Sequence, residues 1–467
     1  MLIILNGHVV DPETGLDEIA DVQIVRGRIS RMYIHNIGEH YGTDKFDDRD
    51  WKKHVYNPYN NEDIENVPDK NERIEVIDAK GMFVLPGFVD LHVHLRDPGL
   101  TYKEDIATGS RAAARGGVTT ICAMPNTKPV VDNVETLKYV LDKAEKEAVV
   151  HVKQLSAITK GMEGKELVDM QAMLDAGAVA FSEDGKSVMD VRLCREAFEK
   201  AASMDALIMA HCEDKELVGK GVLNEGVASA RYDVCGIPNA VEDIIMARDI
   251  FLANDAKTRL HICHCSTKGT VELMRMAKAL GANVTAEVCP HHFTLTDADI
   301  TEANSNYKMN PPLRTEEDVR ALIEGLRDGS MSAISTDHAP HSDEEKAAYF
   351  DKAPFGIVGL ETSAALTYTA LVKTGLISMM DMARLMSYNP AKIIGIDEDY
   401  GKLALGARAD IAIFDPDEEW VVDTAEFASK GHNTPYEGKT LQGRVKATIV
   451  HGRLVYSDGI EAINEDI

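Results

Sequence analysis

The sequence predicts an α/β fold: a (β/α)8, TIM-type barrel with a small β-sandwich domain formed from both chain termini. Two observations point there. Eight short apolar runs alternate with helical stretches through the middle of the chain, and strand-turn-strand runs of a different texture occupy its two ends. The length, 467 residues, suits one large catalytic domain with a smaller companion.

The N-terminal strands are "MLIILNGHVV" and "ADVQIVRGRISRM", separated by the turn "DPETG". A polar segment at about 36–71 has no clean period and reads as an insertion or extended surface loop; His40 and His54 within it are expected to be solvated. "RIEVIDAKGMFVLPG" then returns to strand. Near the C-terminus, "LALGARADIAIFDP" and "VKATIVHGRLVYSDG" have the same texture, so residues 1–84 and 396–467 are expected to pair into one small β domain around a barrel at 85–395.

The barrel strands are expected in "GFVDLHVHL", "GVTTICAMP", "VVHVKQLSA", "GAVAFSEDG", "ALIMAHCED", "RLHICHCST", "NVTAEVCPHH" and "MSAISTDHAPH". Helical stretches such as "NVETLKYVLDKAEKEA" and "VRLCREAFEKAASM" lie between them. Such barrels carry their chemistry at the C-terminal strand ends.

Composition narrows the function classes. A net charge of −27 disfavours nucleic acid and anionic membrane as partners, so an anionic substrate would need a local positive site. The seven cysteines form no framework pattern, which favours free thiols in a reducing compartment. Neither a leader pattern nor a run of about 18 apolar residues is seen, and a cytoplasmic location is expected.

His92 and His94 are two apart on the first strand, so both imidazoles face one side and can reach one ion. Alone, such a pair is a weak signal, since histidines also share the solvated face of a strand. Other strand ends supply Asp184, His211, His264 and Asp337. Nitrogen and hard oxygen donors of this kind suit Zn2+. Six donors exceed the needs of one tetrahedral ion with an open position and suit two ions sharing a carboxylate. Asp337 is placed to take a proton and hand it to a leaving nitrogen.

Arg96 could clamp a carboxylate, which would answer the charge problem. Asn126, Asn310 and His341 are candidate substrate contacts, against the plainer reading of turn-forming Asn and surface His. His291 and His292, read as neighbours on a strand, should face opposite ways and not share an ion. His261 reads as a core histidine or one that supports a ligand. "SDEEK" (342–346) reads as a solvated loop or part of a lid.

"DLHVHLRDPG", "TTICAMPNTKP", "GAVAFSEDG", "AHCED", "HCST", "KMNPPLR" and "STDHAPH" together resemble the metal-dependent amidohydrolase superfamily and, within it, the larger, bacterial type of dihydroorotase. The resemblance runs from about residue 1 to 460, leaving out the 36–71 segment. It implies one or two Zn2+ per subunit and reversible hydrolysis of dihydroorotate to N-carbamoyl-aspartate in pyrimidine biosynthesis. One zinc would sit on His92, His94, Asp184 and Asp337, the other on Asp184, His211 and His264. Substrate contacts would fall on Arg96, Asn126, Asn310, His341 and the backbone of Phe355–Gly356. A homodimer, or association with an aspartate transcarbamoylase, is also implied as a possibility. Relatives such as allantoinases and dihydropyrimidinases or hydantoinases bridge their metals with a carboxylated lysine; here the strand ends in Asp184, with Glu183 expected on the other face and Lys186 beyond the glycine. Two alternatives stand beside this reading: one of those cyclic-amide hydrolases, and a catalytically inactive homologue serving as a binding scaffold. The loop "EGVASARYDVCGIPNAVED" departs from the family's apolar-Gly-Leu-Pro run.

Overall fold

The computed structural model describes residues 1–35 and 74–465. The expected insertion, with His40 and His54, lies outside the described residues.

The barrel forms where the alternation places it. β1 (Phe88–Val93) pairs in parallel with β2 (Val118–Ala123), and β2 with β3 (His151–Gln154). The chain continues from β3 into Ser156–Ala157, which pairs with β4 (Phe181–Ser182). β5 (Leu207–Ala210), β6 (Arg259–Ile262), β7 (Val284–Val288) and β8 (Ala333–Ile334) follow, each parallel to the one before. The ring closes beyond β8. His338 bridges in parallel to Val93, and its carbonyl accepts the His94 N–H at 2.8 Å. Asp90 strengthens this seam by accepting the backbone N–H groups of His92 and Thr336; burial pushes its carboxyl up to about 7.

β4 and β8 hold only two paired residues each, although their apolar runs are longer. Pairing stops where the chain bends to present Asp184 and Asp337. The helices match expectation: Val134–Glu147 is capped by Asn133, and Val191–Ser203 by Asp190.

A nine-stranded sheet joins the two ends of the chain. Its main path runs Arg453–Ser457, Thr440–Val450, Ile411–Val421, Phe83–Pro86, Leu2–Asp11, Leu16–Val25, Arg28–Ile34. "ADVQIVRGRISRM" is a hairpin rather than one strand. Arg26 and Gly27, at φ 50° and 76°, form the two-residue turn whose positive φ values match strand twist. The sheet has its own core of Ile4, Val22, Ile77, Ile411 and Ile449. On its other side Leu85, Phe414 and Val445 belong to the barrel's core, so the two parts share an apolar boundary.

Among the described residues, no helix is long and apolar enough to cross a membrane. All seven cysteines are free, and only Cys235 is exposed.

Candidate metal centre and active site

Six strand-end side chains converge at the C-terminal mouth of the barrel. Asp184 lies at the centre. Its Oδ1 is 3.3 Å from His92 Nε2 and 3.6 Å from both His211 Nδ1 and His264 Nε2, while its Oδ2 is 3.6 Å from His94 Nε2. Asp337 Oδ1 faces the first pair only, 3.1 Å from His94 Nε2 and 3.6 Å from His92 Nε2. His211 Nδ1 and His264 Nε2 are 2.9 Å apart. The donors thus divide into two groups sharing Asp184, and all six residues are buried.

This arrangement fits a metal. Two donors bound at 2.0–2.1 Å to a tetrahedral ion stand about 3.3 Å apart, and the distances here of 2.9–3.6 Å bracket that spacing. His92 Nε2, Asp184 Oδ1 and His211 Nε2 are buried with no hydrogen-bond partner, a costly state in a folded interior unless a ligand satisfies them. Burial opposes ionisation of the Asp184 carboxyl, but the His92, His264 and His94 rings outweigh it and hold it well below the usual carboxylate range. Asp337 is lowered in the same way, burial being outweighed by His92 and His94.

The backbone is bent to make this possible. His264 and Asp337 have φ of 37° and 49°, and Arg96 has φ of 58°. Each left-handed non-glycine residue costs roughly 1–3 kcal/mol, strain that gathers here at the strand ends.

The neighbouring side chains set the ligand geometry. Glu287, a charged residue in the middle of β7, accepts from His92 Nδ1 at 3.2 Å and from His261 Nε2 at 3.0 Å. It therefore fixes the tautomer that turns His92 Nε2 toward the carboxylates. Burial opposes its ionisation, but His261 and His92 hold it well below the usual range. His261 is thus a buried support for a candidate ligand, completed by Thr285 Oγ1 at 2.8 Å. Glu287 was missed from the sequence, although a lone carboxylate inside "VTAEV" is the signal that could have found it. Glu213 was missed as well. It accepts from the Asn310 amide and lies 3.7 Å from His211 Nε2.

The candidate substrate contacts surround the donors; His341 and Gly356 are buried and the others less so. Arg96, Asn126, Asn310 and Phe355 are each half-buried. Arg96 Nε donates to Pro340 O at 3.2 Å, and its terminal nitrogen lies 3.3 Å from His341 Nε2. Among the described residues no carboxylate pairs with this guanidinium. Asp97 turns away to Lys143, 2.8 Å off. Burial, with Arg96 and Lys103 nearby, lowers His341 to about 3, so its ring is neutral. Asn126 bridges two candidate ligands, 3.0 Å from His94 Nδ1 and donating to Asp184 Oδ2 at 3.1 Å.

Three of the four polar backbone groups of Phe355–Gly356 are already engaged. Gly356 N–H donates to Lys308 O, Phe355 O faces His341 Nε2 at 2.9 Å, and Gly356 O accepts from Lys346 and Asn433. Asn433, from the C-terminal part of the chain, also accepts the His341 N–H and donates to Ala339 O.

Other expectations change. His291 and His292 lie on a helical turn, Pro290–Thr294, not on a strand, so both rings come within reach of Cys289 on one side of the chain. Glu183 faces away, accepting from the Ile158 and Thr159 N–H groups, and Lys186 Nζ donates to Met162 O. "SDEEK" forms a capped helical turn whose Lys346 is buried rather than solvated.

A parallel barrel with this histidine–aspartate cluster at its mouth defines the class as an amidohydrolase. A profile described as "Dihydro-orotase-like" matches residues 81–270, and one described as "Amidohydrolase family" matches 341–456. The dihydroorotase of Pelotomaculum thermopropionicum is 46% identical over 98% of this chain and 99% of its own. That of Clostridium acetobutylicum is 45% identical over 98% and 100%. The chain belongs to the dihydroorotase family. Among solved structures, the L-hydantoinase (dihydropyrimidinase) of Arthrobacter aurescens superposes with a TM-score of 0.82 at 26% identity, covering 99% of this chain and 98% of its own. A D-hydantoinase from a Thermus species shares the fold, with a TM-score of 0.79 at 24% identity over 100% and 97%. The superfamily is metal-dependent.

Proposed function

We propose that this chain hydrolyses the cyclic amide of dihydroorotate reversibly to N-carbamoyl-aspartate, in pyrimidine biosynthesis. One observation carries the site-level reading: a half-buried guanidinium, Arg96, without a carboxylate partner among the described residues, beside a six-donor His/Asp cluster. His92, His94, Asp184 and Asp337 would hold one zinc, and Asp184, His211 and His264 a second. When bound, zinc lowers the pKa of water and polarises a carbonyl.

The chain's own groups supply the rest. Arg96 binds the substrate carboxylate, and the amide of Asn310, held by Glu213, borders the ring. Asn126 keeps His94 and Asp184 in register. Asp337, ionised near neutrality, accepts the proton of the attacking water as the new C–O bond forms. It then gives that proton to the ring nitrogen as the C–N bond breaks. The reverse reaction uses the same group in the opposite order.

Asp184 at the end of β4, with Lys186 turned to Met162 O, supports a carboxylate bridge over a carboxylated lysine. A panel of dihydroorotate, allantoin, dihydrouracil and hydantoin, with zinc measured on the same sample, is the direct test. Turnover of dihydroorotate is expected; turnover of another cyclic amide with none of dihydroorotate would sink the reading.

Glu287→Gln is expected to weaken zinc binding about 10–100-fold, read by competition with a chromophoric chelator. Unchanged affinity would show that His92 needs no anionic support. The free thiols support a cytoplasmic location, and sedimentation with and without an aspartate transcarbamoylase would test for a homodimer or a mixed assembly.

A further inference from the structure

Lys308 and Lys346 are 2% and 7% exposed, and among the described residues neither pairs with a carboxylate. Lysines are rarely buried this deeply without a counter-charge. Both donate only to backbone carbonyls, four of them in the 350–356 loop and one on Lys308 itself. Lys346 Nζ donates to Gly356 O at 2.9 Å and to Pro354 O and Lys308 O at 3.2 Å, three bonds that use all three hydrogens of an ammonium. Lys308 Nζ donates to Ala353 O at 2.7 Å and to Phe350 O, and lies 4.3 Å over the Phe355 ring. The backbone of Lys308 holds the same loop, because its carbonyl also takes the Gly356 N–H at 3.0 Å.

The held segment borders the candidate substrate site. Gly356 has φ of 128°, and a Cβ there would meet Ala339 O at 2.9 Å, so the loop is pressed against the stretch that follows β8. Of the four polar groups of Phe355–Gly356, the Phe355 N–H alone lacks a partner among the described residues. A loop without regular structure needs such fixing if one amide is to point in one direction.

We propose that Lys308 and Lys346 are positioning residues that lock the carbonyls of residues 350–356, so that the Phe355 N–H is presented to the substrate ring. This rests on the reading above that Phe355–Gly356 borders the substrate. Burial lowers both ammonium groups, Lys346 to about 7 and Lys308 to about 8.

The test is Lys346→Met and Lys308→Met in the full chain, loaded with zinc. KM for dihydroorotate is expected to rise about tenfold, with kcat within about threefold and zinc content unchanged. Hydrogen exchange is expected to quicken across residues 346–358 and not in the barrel strands. Unchanged KM and exchange would overturn the proposal. So would a loss of kcat at constant KM, or faster exchange throughout the barrel. If Lys346→Met does not fold, Lys308→Met and Lys346→Arg carry the same readouts; failure of all three to fold overturns it, since the lysines then serve the fold alone. A wild-type protein inactive on dihydroorotate would count against the proposed function, while exchange would still report on the loop.

Discussion

Asp337→Asn is expected to slow dihydroorotate turnover by about 10^3-fold or more while the protein stays folded. The substitution keeps the side chain's volume and an oxygen in place of the one that lies 3.1 Å from His94 Nε2. What it removes is the basicity needed to take a proton from water and return it to nitrogen. Arg96 and Asn310 are untouched, so KM should move far less than kcat. Steady-state kinetics, circular dichroism and zinc content on one preparation check this. A folded, zinc-loaded variant keeping a tenth or more of wild-type activity would exclude Asp337 as the proton carrier.

Asp184→Asn is expected to lose turnover to a similar or greater extent, for a different reason. Asp184 is the only one of the six donors near all four imidazoles, at 3.3–3.6 Å. Losing its charge weakens both donor groups, whereas losing Asp337 touches only the group of His92 and His94. Zinc per chain should therefore fall further in Asp184→Asn than in Asp337→Asn, as read by elemental analysis after dialysis. The fold should survive, because the substitution keeps the side chain's volume in the buried site. Wild-type zinc content in Asp184→Asn would exclude a shared bridge.

Much of the site was legible because its donors are local to strand ends. His92 and His94 share a strand face by the period of two, and the other four sit where an apolar run breaks into polar residues. The barrel was legible for the same reason, since each strand and helix declares itself within a short window. The supporting residues were not. Glu287 meets His92 across 195 positions, and Asn433 meets His341 across 92. Nothing near either residue in sequence names its partner. Lys346 misled because a charge run is ordinarily solvated, and only tertiary packing buries its last member. His291 and His292 misled because Pro290 at the first turn of a helix ended the strand earlier than the apolar pattern suggested.

Asn433 sets the order in which this protein can be completed. The six donors all lie before residue 338, yet His341 and Gly356 are held by a side chain near the C-terminus. Likewise the first strand, Leu2–Asp11, reaches Ile411–Val421 only through Phe83–Pro86, and so waits for the last part of the chain to seal its sheet. During synthesis the six-donor half of the candidate site can assemble while the chain is still growing. The loop proposed to face the substrate gains its Asn433 anchor only after residue 433 has been made, well after all six donors, so a growing chain can gather a metal before it can hold a substrate firmly.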